Sequence, residues 1–148
     1  MRTYYSNTVS LFCSLFFIVS IIASCQKDAE QTCTTSMASV SGTYKLTAFT
    51  YKENSSSPAQ NFLLLKEDCE LDDLVSFNNN GTYHYQDEGL VCSPDGSENG
   101  TWSIAGNTII SDGIVAGTIE YFDCRQLTVY TGNVFIPGDR ITLTITRQ

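Results

Sequence analysis

This sequence predicts an all-β fold, an eight-stranded up-and-down antiparallel β-barrel, and three observations carry that prediction. Aromatic residues are plentiful (eight Tyr, eight Phe, one Trp), and such side chains suit the pleated, half-buried surface of strands. Apolar and polar residues alternate in short runs from residue 42 onward, while long helical periodicities are absent. Turn signals, among them Asn80-Gly81, Gly106-Asn107 and Asp112-Gly113, separate those runs. Hairpins in sequence make a meander, and closing a meander removes its two exposed edges. The alternative is a β-sandwich built from the same strands.

The chain opens outside that domain. Arg2 precedes an apolar segment, residues 11–22, too short to span a bilayer as a helix and ending at small residues, as a secretory signal does. Ile22-Ala23-Ser24-Cys25 resembles the lipobox of bacterial lipoproteins. That resemblance implies a signal peptide over residues 1–24 and a diacylglycerol on the Cys25 thiol, which then becomes the acylated N-terminus. Each buried methylene contributes ~0.8 kcal/mol, so two or three acyl chains hold firmly to a bilayer. Residues 26–30, Gln-Lys-Asp-Ala-Glu, resemble the short Lys-then-acidic signal that exports lipoproteins to the outer surface in one Gram-negative phylum. Ala29 stands there in place of the usual acidic residue. The implied address is lipid-anchored at the outer membrane on the cell surface, with the periplasmic face of that membrane as the alternative. Residues 25–40 are polar and small, an acylated tether, and residues 41–148 form one domain.

The strands follow in order. Tyr44, Leu46 and Ala48 alternate with Lys45, Thr47 and Phe49. Residues 53–60 read as an open loop, and residues 61–74 as a short helix with Leu63, Leu64, Leu71 and Leu74 on one face. A strand at 74–77 turns at Asn80-Gly81 and returns with Tyr83 and Tyr85 opposite Thr82, His84 and Gln86. A loop with Pro94-Asp95-Gly96 leads to a strand carrying Trp102 and Ile104 on one face. Residues 108–111 return from it. Ile119 and Tyr121 then alternate with Thr118 and Glu120, and Leu127 and Val129 with Thr128 and Tyr130. The last strand sets Ile141, Leu143 and Ile145 against three threonines.

Setting aside Cys13 in the signal and Cys25 at the anchor, four thiols remain: Cys33, Cys69, Cys92 and Cys124. An even count in an exported chain reads as two disulfides with three possible connectivities. Zinc is the weaker reading, because no Cys-x-x-Cys pair exists and the single His84 is not spaced with the thiols. A net charge of −8 argues against nucleic acid, whose phosphates call for basic patches.

Several pieces together resemble the bacterial lipocalin-like domain of small surface lipoproteins, from about Gly42 to Arg147. They are Gly42-Thr43-Tyr44, Cys69 with Asp72-Asp73, Phe77 with Asn80-Gly81-Thr82-Tyr83, Cys92, Gly100-Thr101-Trp102 with Gly106-Asn107, and a Thr-rich final strand ending in Arg147. The resemblance implies a binding barrel and a Cys69–Cys92 disulfide, which leaves Cys33 to pair with Cys124. It also implies that Tyr44, standing where Trp is usual, takes a stacked guanidinium from Arg147. Such a contact contributes about 0.5 to 2 kcal/mol and has a structural role.

An eight-stranded barrel either fills its interior with side chains or holds one small ligand. The candidate wall is Leu46, Ala48, Phe77, Tyr83, Tyr85, Trp102, Ile104, Tyr121, Leu127 and Val129, with tyrosine hydroxyls available to a ligand's polar end. Catalysis is not expected. The sequence has no Gly-x-Ser-x-Gly and no Walker-type glycine run, and His84 is expected to face outward. Asp68, Glu70, Asp72 and Asp73 lack the spacing of a calcium loop, so no metal or cofactor is expected. Two functions remain in view. One is a tethered lipocalin-like protein binding a small hydrophobic or amphipathic molecule. The other is an accessory lipoprotein with a filled barrel that contacts a protein partner through loops 53–60 and 89–99.

Overall fold

Residues 33–148 are described in a computed structural model. The expected signal peptide, Cys25 and residues 26–32 of the expected tether lie outside the described residues. The strand order comes directly from the turn chemistry, since each short loop returns the chain beside the strand it has just left. A four-residue helix α1 (Met37–Val40) leads into β1 (Gly42–Lys52), and a two-residue β2 (Gln60–Asn61) follows. Next come β3 (Leu74–Phe77), β4 (Thr82–Gln86), β5 (Glu98–Ala105), β6 (Thr108–Ser111), β7 (Ile114–Phe122), β8 (Gln126–Gly132) and β9 (Arg140–Arg147). Neighbours pair antiparallel from β3 through β9, and β1 pairs with both β3 and β9. That last pairing closes an eight-stranded barrel, and β2 adds a short flap beside the end of β1.

The short helix expected within residues 61–74 is instead two 3-10 turns, Phe62–Leu65 and Asp68–Glu70. Lys66 and Glu67 separate them, so the leucines never share a helical face; Leu64 and Leu65 are exposed. Conversely, α1 lies ahead of the domain start expected at residue 41. Ser36 and Ser39 cap it reciprocally, and Val40 is fully buried in the core.

Both disulfides form, one at each end of the barrel. Cys33–Cys124 ties the segment before α1 to the β7–β8 turn across a separation of 91 residues. Cys69–Cys92 ties the second 3-10 turn to the β4–β5 loop across 23 residues. Loop-closure entropy assigns the two roughly 4.5 and 3 kcal/mol of stabilisation.

Candidate functional site

One end of the barrel is plugged. Val40, Tyr44, Trp102, Ile109, Ile119 and Leu127 form the buried core, with Met37 of α1 packed against it. Arg147 organises this plug: its Nη2 lies 2.6 Å from the Ser39 carbonyl, 3.0 Å from that of Ser41 and 2.7 Å from the Tyr44 hydroxyl. The guanidinium carbon sits 5.3 Å from the centre of the Tyr44 ring, the pair that the lipocalin-like resemblance implied. Tyr44 in turn donates to the Val40 carbonyl at 2.8 Å. Burial raises the Tyr44 pKa, against the opposing pull of Arg147. Gly42 makes the arrangement possible, with a φ of +150° and a position where a Cβ would lie 3.1 Å from Arg147 Nε. The Trp102 indole N–H donates to the Asn78 carbonyl at 2.8 Å, pinning the β3–β4 hairpin to the same plug.

Above the plug lies a cavity of ≈490 Å³, within the range of small-molecule sites. Its floor is an aromatic layer in which Phe77 meets Trp102 at 4.9 Å and Tyr44 at 6.0 Å between ring centres. Leu46, Phe49, Val75, Ile109, Leu127, Val129, Leu143 and Ile145 make the apolar wall. Lys66, Glu70, Asp73, Tyr83, Tyr85, Glu98 and Ser111 add polar groups to it.

Of the residues named as a candidate wall, Leu46, Phe77, Tyr83, Tyr85, Leu127 and Val129 line the cavity. Four others do not. Trp102, buried in the plug, and Ile104, packed against it, do not line the cavity. Ala48 is turned outward by a β-bulge between Leu46 and its neighbour, which leaves Thr47 unpaired and Ala48 opposite Thr144. Phe49 takes the inward position instead. A second bulge between Ile119 and Tyr121 leaves Glu120 unpaired. Tyr121 is consequently half-exposed, donating to Asp123, while Phe122 packs against the core. Strand alternation could not have located either bulge, because neither unpaired residue is a glycine.

The polar arc is organised by carboxylates. Asp73 is buried, at 7 % exposure, and accepts from the Tyr85 hydroxyl at 2.6 Å and the Glu88 amide at 3.2 Å. Burial and the Asp73 bond push the Tyr85 pKa far up, so its phenol keeps its proton. Tyr83 lies across Gly100, where a Cβ would come within 2.4 Å of its ring, and donates to Asp112 at 2.9 Å and Glu98 at 3.2 Å. Backbone donation from Thr101 and the bond from Tyr83 lower the Asp112 pKa. Lys66 pairs with Glu70 at 2.6 Å, and Asp72 accepts from the Leu90 amide at 2.9 Å. The acidic residues of this segment thus serve separate contacts, and among the described residues no cluster suited to a metal ion is found.

An antiparallel barrel plugged at one end and open over an apolar cavity is a ligand-binding architecture. The chain belongs to a family with that fold: residues 40–148 match the lipocalin-like domain. No curated protein and no solved structure matches the chain.

Proposed function

We propose that this protein is a membrane-tethered, lipocalin-like lipoprotein that binds a small hydrophobic or amphipathic molecule in its barrel and performs no catalytic step. The observation that carries the binding reading is the ≈490 Å³ cavity, lined mainly by apolar side chains and crossed by a short polar arc. The anchor rests on the sequence around Cys25: acyl chains on that thiol would hold the protein to the outer membrane, at the cell surface. Mass spectrometry of natively purified protein tests both halves. The expected result is an N-terminal mass shifted by acyl chains on Cys25 together with a co-purifying small molecule. An unmodified Cys25 would overturn the anchor, and a protein that neither carries nor takes up an apolar molecule would overturn the binding reading.

A second reading, contact with a protein partner through the loops, draws on one feature. Among the described residues the exposed large apolar side chains, apart from Tyr121, lie on loops or strand ends around the cavity mouth: Leu64, Leu65, Leu90, Val91, Ile114 and Val134 through Ile136. Loop 89–99 contributes two of them. Loop 53–60 contributes none.

A further inference from the structure

The charges and hydrogen-bond directions inside the cavity say which polar end a ligand should carry, given that the barrel binds one. Tyr85 has already committed its proton to Asp73, and Tyr83 has committed its single proton to Asp112 at 2.9 Å, with Glu98 at 3.2 Å as the alternative acceptor. What both phenol oxygens still offer is lone pairs. Ser111 lies 3.4 Å from Asp112 and directs its proton there as well. The arc is therefore almost wholly an acceptor surface.

Its charge has the same bias. Three carboxylates (Glu70, Asp73 and Glu98) face one ammonium, Lys66, and that ammonium is paired with Glu70. Asp73 decides the matter, because it is buried in the wall, and among the described residues no cation lies within salt-bridge distance of it. Its two hydrogen bonds come from a phenol and an amide, both neutral. A buried carboxylate lacking a counter-charge gains from any cation that reaches it, and it repels a second carboxylate.

We infer that the cavity selects a ligand with a protonated amine or similar cationic, hydrogen-bond-donating head on an apolar body, and disfavours fatty carboxylates. This deepens the binding reading proposed above and rests on it. The head would donate to Asp73 and to the two phenol oxygens, with Glu98 at the rim adding attraction. The apolar body would lie on Val129, Leu143 and the Phe77 floor.

The test uses the full-length protein loaded with a neutral apolar dye, N-phenyl-naphthylamine, and three competitors of equal chain length at neutral pH: decylamine, decanol and decanoate. The expected result is that decylamine displaces the dye at a concentration roughly ten-fold or more below decanol, with decanoate weakest. Asp73→Asn should bring decylamine back to about the level of decanol, closing the gap between the two. Glu98→Gln, at the exposed rim, should narrow the gap several-fold and serves if the Asp73 variant does not fold. Equal competition by all three, or decanoate the strongest, would overturn the inference and leave the binding reading intact. Failure of the dye itself to bind would remove both.

Discussion

The two ends of the barrel use charge in opposite senses. At the plugged end a cation, Arg147, collects acceptors: two backbone carbonyls, a phenol oxygen and the face of a ring. At the open end carboxylates collect donors. Asp139, almost fully buried, accepts from three consecutive amides, Val134, Phe135 and Ile136, at 2.7, 2.8 and 3.0 Å. Asp112 and Asp73 do the same for Thr101, Glu88 and two tyrosines. The difference shows how one sheet can be both a stopper and a container. The plug gathers side chains inward around one guanidinium. The mouth has its loops tied back by their own carboxylates, so they need not collapse into the space between them.

The largest expected effect breaks the plug. Arg147→Ala removes the stacked contact and orphans acceptors at Ser39, Ser41 and Tyr44, which should cost about 3 kcal/mol of unfolding free energy. Denaturant titration checks this, and a loss below about 1 kcal/mol would mean that the guanidinium does not organise that end. The fraction still folded should bind an apolar dye as the parent does, since the cavity wall lacks this residue.

Acid separates the ends by a smaller margin. Burial works to raise the Asp139 carboxyl, but the three amide bonds outweigh it, and its pKa falls below the ordinary carboxylate value. Asp112 is lowered chiefly by the Thr101 amide. A carboxylate whose folded pKa is depressed stabilises the fold above its unfolded pKa, near 4, and loses that contribution as pH falls through the folded value. Stability should therefore decline progressively below about pH 4. Hydrogen exchange should show the Val134–Ile136 amides losing protection there first. The Arg147 cluster contains no carboxylate and should keep its protection. Asp123, on the β7–β8 turn at the plugged end, is also lowered, by the Gln126 and Arg125 amides, and that turn should loosen along with the mouth.

The smallest effect concerns the second bulge. Tyr121→Thr should change stability by no more than about 0.5 kcal/mol and leave dye affinity alone, as for an exposed outer position. Loss of binding in that variant would put Tyr121 back on the wall.

Much of this contrast was legible in the sequence, and the rest failed for identifiable reasons. Turn chemistry gave the meander. Alternation put Tyr83 with Tyr85, and Leu127 with Val129, on one face each, because those strands run without interruption on that side. It failed at Ala48 and Tyr121, where one unpaired residue reverses the face of everything after it. Thr47 and Glu120 carry no mark of that role. Phe49, Leu143 and Ile145 belonged to recognised strands, yet a strand's alternation does not say which face is inside. The acceptor arc was hidden more deeply. Asp73 looks like one more acidic surface residue until the register brings Tyr85 beside it, twelve positions along. Trp102 and Ile104 sat on the correct face at the wrong height, and height along a barrel is set by strand stagger, which alternation does not encode.

The central claim is that the volume above the plug is a binding site, and filling it tests that claim most directly. Titrating an apolar fluorescent dye into the parent protein and into Val129→Phe should give one bound dye per parent molecule. The variant should bind at least roughly ten-fold more weakly and unfold at nearly the same denaturant concentration, because the added ring occupies empty space. Equal binding by both proteins, or none by the parent, would contradict it.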